Sequence, residues 1–410
     1  MNGEYRGRLT DRVLVEMLRE HAAVLVVGPR ATGKTTTCER LAQTSIRLGN
    51  ERQAAAMQAD AAAVLRGRDE PILIDEWQLA PSSLSAIKER VDTNATAGQF
   101  IVTGSVRGDL DSPTWPGTGR LVRLDMHGLT EREVDGNIDG QSWIDRVRTG
   151  NFESASSPLD LRDYVNRALR SGFPEPTLRL GLEGRQRWLR SYVDQLVTRD
   201  AADLGTDRDP QRLRRYLEAL ALNSAGIVSD VTLYESAGIN KITARSYDTL
   251  LQNLLVTVNI PAWRSNRPKR LVLAPKRYLC DAGLFTGVLG LTTDDVLGDG
   301  DLLGRVLDTF VMSQLRAECA LMPLSPQVHH LRSQQGRHEI DIIIEFGTRK
   351  VVAIEVKATT RPKLSDAAHL RWLLDDLGDN LSAAVLLHTG SHSTMLGPNI
   401  HAMPISSLWS

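Results

Sequence analysis

Residues 28–35 have the types and the spacing of a loop that binds phosphate groups. The pattern G-x-x-x-x-G-K-[ST] is matched at every position by Gly28, Pro29, Arg30, Ala31, Thr32, Gly33, Lys34 and Thr35. In such a loop, backbone N–H groups face an anionic phosphate. We therefore predict that Lys34 reaches the β- and γ-phosphates of ATP, that Thr35 binds Mg²⁺, and that Thr36 belongs to the same cofactor site. An ordinary glycine turn is the alternative.

The stretches on either side of this loop predict the elements that would present it. Residues 22–27 are apolar and partly β-branched, which is typical of a buried parallel strand. Residues 36–48 contain neither Pro nor Gly and predict a helix. A strand, a glycine loop and a helix start in this order direct bare N–H groups toward one anionic ligand.

Two acidic residues end the next apolar run. Residues 72–74 predict a strand, and Asp75 and Glu76 follow directly. At the carboxyl end of a parallel strand, Asp75 would face the same crevice as the loop and bind Mg²⁺, directly or through water. Glu76 would then act as a general base toward the attacking water. A strand that ends in solvated acids is the alternative.

A third strand is predicted at residues 99–105 and carries polar side chains where it leaves the sheet. Ser105 or Thr103 can sense the γ-phosphate or position the attacking water. The alternative is that these residues only form a turn.

A second group of chemically active residues lies in the C-terminal third. Two strand-like runs joined by a short turn carry Asp341 in the first run and Glu355 and Lys357 in the second. Glu355 and Lys357 are two residues apart and share one face of a strand. In a hairpin, Asp341 and Glu355 can converge on one divalent cation, with Asp308 on a preceding helix as a further acid. This set suits metal-dependent phosphodiester hydrolysis; a salt-bridged edge hairpin is the alternative.

Composition limits the class of protein. A chain of 410 residues with 41% hydrophobic residues predicts about two to four domains with real cores. No apolar run approaches the ~20 residues needed to cross a bilayer, and the N-terminus lacks a hydrophobic signal segment, so we expect a cytoplasmic protein without membrane contact. The three cysteines lack metal-ligand spacing and are expected to be buried thiols. Only eight of the 49 basic residues are Lys, and Lys34 and Lys357 are two of these.

The order of the patterns predicts the organisation of the chain. Alternating strand and helix signals, with strands near 23–27, 72–75, 100–104 and 120–125 and a helix at 83–92, indicate a parallel α/β sheet covered on both faces. From residue 159 to about residue 222 the pattern is helical. A loop at residues 109–119 is expected near the nucleotide. We predict an N-terminal α/β domain, a helical lid or linker, a helical region with a hairpin, and a C-terminal α/β domain, at residues 1–135, 136–210, 211–300 and 301–410.

The third of these regions has the pattern of a winged helix. A short helix, a glycine turn and a second helix occupy residues 231–251, and two strand-like runs follow at 255–260 and 270–274. The turn between these runs carries four basic residues, Arg264, Arg267, Lys269 and Arg270. The functional interpretation is phosphate contact by the hairpin and groove contact by the second helix. A winged helix used only for packing or for contacts between subunits is the alternative.

The chain resembles a group of prokaryotic AAA-type ATPases whose ATPase domain is fused to a winged helix and a C-terminal restriction-endonuclease-like domain. The resemblance covers nearly the whole length and is carried by residues 28–35, 74–76, 103–105, 119–120, 198–200, 276–284, 339–341 and 355–357. It implies that Arg120 and Arg199 act as sensors or reach into a neighbouring subunit's nucleotide site. Restriction-like folds usually carry Glu on the first helix, where this chain has the shorter Asp308.

The residues together predict a Mg²⁺-dependent ATPase that acts on DNA, with ATP turnover coupled to a winged helix and a metal-dependent nuclease-like domain. The intact set Asp341, Glu355 and Lys357 favours this hypothesis. Asp308 and the net charge of −1 favour the alternative of a nucleotide-controlled switch whose nuclease-like domain is an inactive binding scaffold. The expected partners are ATP, DNA, and either further copies of the chain or another protein.

Overall fold

The structure is a computed structural model. It describes residues 5–105, 118–152, 156–200, 209–264, 274–323, 325–333, 337–347 and 350–410. The chain divides into two compact units, Met1–Leu129 with Gln252–Leu255 and Thr130–Leu251 with Val256–Ser410. Within the described residues, every helix is too short or too polar to cross a bilayer.

A five-stranded parallel sheet forms the centre of the first unit. Its strands are β1 (Ala23–Val27), β2 (Thr44–Arg47), β3 (Ile72–Asp75), β4 (Phe100–Gly104) and β5 (Leu121–Asp125). Every residue of β1, β3 and β4 is buried, as expected for parallel strands covered on both faces. The apolar runs at these three positions were sufficient to predict them.

The strand order is β2-β3-β4-β1-β5, so that β4 lies between β1 and β3. Val27 at the end of β1 is paired with Gly104 of β4, and Ile74 of β3 is paired with Val102. The carboxyl ends of β1, β3 and β4 are therefore neighbours at one edge of the sheet. Any side chain that follows these strands is brought close to the loop at residues 28–35.

Five helices and one 3₁₀ turn accompany this sheet in the described part of the first unit. They are Leu9–Glu20, Lys34–Glu39, Glu51–Ala59, Ala61–Leu65, Ser82–Thr93 and the 3₁₀ turn Trp77–Leu79. The predicted helix at 83–92 agrees with Ser82–Thr93. Buried side chains of the sheet and of these helices form one hydrophobic core. The helices contribute Met57, Leu84 and Ile87 to it.

The helix predicted over residues 36–48 is wrong in its second half. The helix ends at Glu39, and Thr44–Arg47 forms β2 at the edge of the sheet. The N–H of Gln43 donates to the carbonyl of Pro71 at 2.9 Å, and β2 continues in parallel register with β3. Pairing with a neighbouring strand satisfies the backbone groups here, so tertiary context overrides the local helical preference.

The strand predicted at 120–125 is found as β5, which begins at Leu121. Most of the loop predicted near the nucleotide, residues 109–119, lies outside the described residues.

The second unit begins with helices. Those described before the next strand are Glu131–Asp135, Trp143–Arg148, Leu161–Arg170, Pro174–Arg179, Leu182–Gln195, the π-helical turn Leu196–Asp200, Pro210–Leu222, Asp230–Ser236 and Lys241–Asn253. The helical pattern predicted between residues 159 and 222 agrees with them. Apart from Gln252–Leu255, the regions predicted as separate domains at 136–210, 211–300 and 301–410 lie in this one unit, and that finer division stays a prediction.

A helix pair and a two-stranded sheet follow next along the chain. Helices Asp230–Ser236 and Lys241–Asn253 are joined through Gly238, whose φ of +64° lies in the left-handed region that favours glycine. The following sheet pairs β6 (Thr257–Ile260) with β7 (Lys276–Leu279) in antiparallel register. The strand predicted at 270–274 lies, except for residue 274, outside the described residues. The described strand β7 begins at Lys276.

A six-stranded mixed sheet closes the chain. Its strands are β8 (Gln327–Arg332), β9 (Glu339–Phe346), β10 (Lys350–Lys357), β11 (Leu381–His388), β12 (Thr394–Gly397) and β13 (Ile400–Pro404). The order is β12-β13-β11-β10-β9-β8, with β10, β11 and β13 parallel and the other pairs antiparallel. The predicted hairpin of β9 and β10 forms as expected, because each strand of eight residues contains an apolar run, Ile342–Ile344 in β9 and Val351–Ile354 in β10.

Four helices and three 3₁₀ turns are described after β7. The helices are Leu284–Leu289, Thr293–Gly298, Gly300–Cys319 and Ala368–Leu377, and the 3₁₀ turns are Leu364–Ala367, Gly378–Asn380 and Ile405–Leu408. Leu370 and Leu373 are fully buried against the C-terminal sheet. The long helix Gly300–Cys319 contacts β8 and β10. This helix carries Asp308, so its packing decides where that acid lies.

Asp281 holds the turn that follows β7. Its buried carboxylate accepts the N–H of Gly172 at 2.7 Å and that of Gly283 at 2.8 Å. One side chain thus joins the end of helix Leu161–Arg170 to the start of helix Leu284–Leu289. The residue lies within the motif at 276–284 that carries part of the family resemblance.

We expect Asp281→Ala to lower the free energy of unfolding by about 2–4 kcal/mol, because two buried N–H groups lose their acceptor. Asp281→Asn keeps one carbonyl oxygen and should lose less. Denaturant unfolding of the full chain measures both, with the exposed Asp376→Ala as a control expected within about 0.5 kcal/mol of wild type. An unchanged midpoint in Asp281→Ala would contradict this role.

Candidate functional site

The loop at residues 28–35 begins where β1 ends, and its first residue must be glycine. A Cβ atom at Gly28 would lie 2.0 Å from the carbonyl oxygen of Met126. The N–H of Met126 in turn donates to the carbonyl of Val27 at 2.7 Å, so the two backbone segments cannot separate easily. The close approach of these two backbone segments explains why residue 28 is glycine, which the sequence pattern alone does not explain.

The backbone of the loop turns through two left-handed residues. Ala31 has a φ of 63° and Gly33 a φ of 92°. The hydroxyl of Thr32 donates to the carbonyl of Pro29 at 2.9 Å and closes the turn from inside. Where left-handed and right-handed backbone conformations alternate, successive N–H groups point into one concave surface. Such a surface suits an anion.

Lys34 is buried within the curve of its own loop. Its Nζ donates to the carbonyls of Gly28 at 2.9 Å and Pro29 at 2.8 Å. Burial lowers the pKa of Lys34 to about 8, although the nearby carboxylates of Glu76 and Asp75 act in the opposite direction. Neutral carbonyls only partly compensate the charge of this ammonium, so a phosphate beside it would stabilise the charged form.

Thr35, Asp75 and Thr103 meet at the carboxyl edge of the sheet. One carboxylate oxygen of Asp75, Oδ1, accepts the hydroxyl of Thr35 at 2.8 Å and that of Thr103 at 2.6 Å. A hydroxyl and a carboxylate are oxygen ligands of the kind that Mg²⁺ takes alongside phosphates and water. The residues at this position therefore fit a magnesium ion.

Glu76 is held in a left-handed conformation beside Ser105. Its φ is 59°, and its N–H donates to Thr103 Oγ1 at 3.1 Å. Its carboxylate accepts the hydroxyl of Ser105 at 3.0 Å and the side-chain amide of Gln78. The predicted general base and the predicted γ-phosphate sensor are thus in direct contact, and Gln78 restrains the carboxylate.

Arg120 lies at the opposite end of the strands from the loop. It precedes β5, whose first residue Leu121 pairs with Ala23 at the start of β1, whereas the loop follows Val27. Its guanidinium pairs with Asp92 at 2.8 Å. Arg120 therefore lies away from the loop of its own chain. Its predicted part in nucleotide binding, as a sensor or in a neighbouring subunit's site, stays a prediction.

Arg199 lies on the π-helical turn Leu196–Asp200 of the second unit and is exposed. Its predicted part in nucleotide binding stays a prediction. Of the other loop residues, Pro29 is buried and Arg30 is half-buried, and Thr36 is exposed near the start of the helix Lys34–Glu39.

Two residues outside the sequence motifs support this site. The buried side chain of Arg8 donates from Nη1 to the carbonyl of Thr32 at 2.9 Å and from Nη2 to the carbonyl of His127 at 2.8 Å. Gln78 is the second, through its contact with Glu76. Arg8 is one among many arginines and carries no motif, so no sequence signal would have found it. Gln78 lies two residues after Glu76, and a polar residue so close in sequence could have been predicted to contact the Glu76 carboxylate.

The acids predicted as a metal centre in the C-terminal third surround a lysine. Lys276 Nζ lies 2.6 Å from Asp308 Oδ2 and 2.9 Å from Asp341 Oδ1. The other oxygen of Asp341 accepts the N–H of Val356 at 3.0 Å, and the hydroxyl of Tyr278 lies 3.1 Å from Asp308 Oδ1. In the sequence Lys276 is only one residue of a motif, but in the fold it is the central contact of this group.

Glu355 and Lys357 form an ion pair of their own. Lys357 Nζ lies 2.9 Å from Glu355 Oε2, while Glu355 Oε1 is buried without a hydrogen-bond partner among the described residues. Burial, reinforced by the charge of Asp341, raises the pKa of Glu355 to about 8. Across the described ranges, no three His, Cys, Asp or Glu side chains are arranged to hold a metal ion. The predicted set Asp308, Asp341 and Glu355 does not fit a divalent cation in this arrangement.

Comparison with known families agrees with the geometry of the first unit. Residues 20–134 match the family model described as AAA domain. This part of the chain is an AAA-type ATPase domain with a parallel-sheet core. Residues 161–295 and 303–408 match two further models, each described as a domain of unknown function (DUF8612 and DUF4143). The second of these is typical of ATPase-associated proteins, and neither description names a winged helix or a nuclease.

Two curated relatives span almost the whole chain. They are uncharacterized proteins of Mycobacterium bovis and Mycobacterium tuberculosis, and each is 27% identical to this chain over 395 residues. The matched region covers 95% of this chain and 82% of each relative. The similarity therefore includes the AAA-type domain and the C-terminal sheet together.

We expect Gly28→Ala to weaken ATP binding at least about tenfold, because a Cβ at 2.0 Å from the Met126 carbonyl oxygen forces the loop out of position. Gly49→Ala is the matched control, since a Cβ at Gly49 meets no described atom within 4 Å. Titration of each purified variant with ATP and Mg²⁺ in a calorimeter measures the affinity. Equal affinities of the two variants would contradict the close approach inferred here.

Proposed function

We propose that this protein binds ATP with Mg²⁺ at residues 28–35 and hydrolyses it. The observation that supports this proposal best is the 2.8 Å hydrogen bond between Thr35 Oγ1 and Asp75 Oδ1. It brings a hydroxyl and a carboxylate together directly behind the loop that carries Lys34. The AAA-type domain independently supports nucleotide binding and hydrolysis.

Each residue of the site has a distinct part in this proposal. The N–H groups of the loop and Lys34 hold the phosphates, and Thr35 and Asp75 hold Mg²⁺, which when bound supplies positive charge to the phosphate oxygens. Glu76 accepts a proton from water as the water oxygen bonds to the γ-phosphorus and the bond to the bridging oxygen breaks. ADP and phosphate are the products. Ser105, which contacts Glu76 at 3.0 Å, positions the water.

We expect Lys34→Ala to weaken ATP binding at least about 100-fold, because a buried ammonium that contacts phosphate is removed. Lys88→Ala is the control, since Lys88 is partly exposed and pairs with Asp92 on its own helix. Binding of a fluorescent ATP analogue to both variants measures the difference. Tight binding by Lys34→Ala would refute the assignment of the phosphate site.

We expect Glu76→Gln to bind ATP normally and to hydrolyse it at least about 100-fold more slowly, which is the scale of general-base catalysis. The amide keeps the shape of the side chain and can still contact Ser105, but it cannot accept the proton of water. Glu16→Gln, an exposed change in the same unit, should keep the wild-type rate. The rate of steady-state phosphate release measures hydrolysis in each variant. A wild-type kcat in Glu76→Gln would show that another group is the base.

A second candidate function is DNA binding by the helix pair and the hairpin of the second unit. Lys241 and Arg245 are exposed on the second helix of the pair, whereas Ala244 and Tyr247 of the same helix are buried. Arg264 follows β6, and three further basic residues, Arg267, Lys269 and Arg270, lie in the segment between β6 and β7. Positive charge on an exposed helix and on the adjoining hairpin suits contact with phosphates. This proposal includes the hypothesis that the helix pair and the hairpin form a winged helix.

If the hairpin contacts DNA, replacing Arg264, Arg267, Lys269 and Arg270 together by Ala should weaken binding to duplexes of every sequence. The slope of log affinity against log salt should fall by up to about 0.9 for each phosphate group that the variant no longer neutralises. Fluorescence anisotropy over a series of salt concentrations measures both quantities, and the exposed Arg371→Ala serves as the control. An unchanged affinity and slope would assign the segment to protein contacts.

We propose a binding scaffold rather than a metal-dependent nuclease for the C-terminal sheet. The observation that favours the scaffold is Lys276, whose ammonium contacts both Asp308 and Asp341. The protein as a whole would then be a nucleotide-controlled switch that acts on DNA or on a partner protein. The partly exposed Arg120 suits a contact with a neighbouring AAA-type subunit in a homo-oligomer.

A further inference from the structure

Lys276 lies among the acids of the C-terminal sheet with 1% of its side chain exposed. We propose that its ammonium is the resident cation of this site and takes the charge-compensating position that a divalent metal ion would otherwise occupy. The consequence is that the second unit is complete without a metal ion. In this proposal Lys276 also holds β7, the helix Gly300–Cys319 and β9 in contact.

The carboxylate oxygens of Asp308 and Asp341 are already used by the protein. Asp308 accepts Lys276 on Oδ2 and Tyr278 on Oδ1. Asp341 accepts Lys276 on Oδ1 and the N–H of Val356 on Oδ2. All four oxygens of the two acids therefore accept a hydrogen bond from the protein itself. A carboxylate arranged to receive a metal ion would keep at least one oxygen directed at an open position.

The ammonium of Lys276 also occupies the volume that a metal ion would need. A divalent cation bound between Asp308 and Asp341 would lie about 2.0–2.6 Å from their oxygens. Lys276 Nζ is only 2.6 Å and 2.9 Å from two of these oxygens. The two cations would repel each other, so a metal ion can enter only if Lys276 leaves. The lysine is too deeply buried to move its charge into water without disturbing β7.

Three elements of the second unit depend on this contact. Lys276 is on β7, Asp308 is on the helix Gly300–Cys319, and Asp341 is on β9. Lys276 and Tyr278 are two residues apart on one strand, so both point to one face and both reach Asp308. The spacing of lysine and tyrosine within the motif at 276–284 thus has a physical explanation. The pair ties the small sheet of β6 and β7 to the helix and to the large sheet.

The first test uses the full chain without nucleotide. Mn²⁺ is titrated into wild type and into Asp341→Asn, and the free ion is counted by its electron paramagnetic resonance signal. We expect the same number of bound ions in both proteins, since the loop at residues 28–35 is identical in the two. A Mn²⁺ ion that wild type binds and Asp341→Asn does not would overturn the proposal, because the metal would then have displaced Lys276.

The second test removes the ammonium. Lys276→Ala should lower the thermal unfolding midpoint by about 5 °C or more, because two buried carboxylates lose their counter-ion. Millimolar MnCl₂ should recover part of this decrease in Lys276→Ala but not in Lys276→Ala with Asp341→Asn. The exposed Lys363→Ala is the matched control and should have the unfolding midpoint of wild type. A wild-type midpoint in Lys276→Ala would refute the role of Lys276 as the compensating cation.

A third variant covers the case in which Lys276→Ala does not fold. Lys276→Met combined with Asp308→Asn and Asp341→Asn removes the ammonium and both of its carboxylate partners together. We expect this triple variant to fold and to bind no Mn²⁺ beyond that bound by Asp341→Asn. A triple variant that folds while Lys276→Ala does not supports the proposal, since the two differ in uncompensated negative charge. Failure of both variants to fold would contradict it, because charge compensation would then not be what the site requires.

Discussion

The carboxylate of Asp75 connects the three parts of the proposed nucleotide site. Its Oδ1 accepts the hydroxyl of Thr35 from the loop at residues 28–35 and the hydroxyl of Thr103 from β4. The contact is possible because β4 lies between β1 and β3, which makes the carboxyl ends of these strands neighbours. The order of strands in the sheet thus decides whether the loop, the acids at the end of β3 and the polar end of β4 form one site.

Two buried ammonium groups show how their partners determine what a lysine does. Lys34 and Lys276 are both almost fully enclosed. The carbonyls around Lys34 leave its charge largely uncompensated, and burial lowers its pKa to about 8. Burial alone would lower the pKa of Lys276 as well, but the charges of Asp308 and Asp341 outweigh it and raise that pKa. The first lysine is prepared for an anionic ligand, and the second has its anions within the fold.

The elements with strong local patterns could be predicted from the sequence. β1 is apolar throughout, and β3, β4, β9 and β10 each contain an apolar run of three or more residues, which a strand buried on both faces needs. The helix predicted over residues 44–47 failed for a tertiary reason. These residues form a strand because β3 offers an open edge. A neighbour distant in sequence decided this outcome, and a distant neighbour also sets the place of Arg120, because β5 begins beside the start of β1.

The loop at residues 28–35 could be recognised from the primary structure alone, because its pattern consists of eight consecutive residues whose spacing is set by the covalent chain. The acids at the end of β3 could be recognised in the same way, since a carboxylate at the carboxyl end of a buried strand must emerge at the edge of the sheet. The character of the C-terminal acids, in contrast, depends on the folded chain. Lys276 is 32 residues from Asp308 and 65 from Asp341, so no local pattern records their contact. Whether a buried carboxylate meets a metal ion, water or an ammonium depends on which side chain the fold brings within about 3 Å.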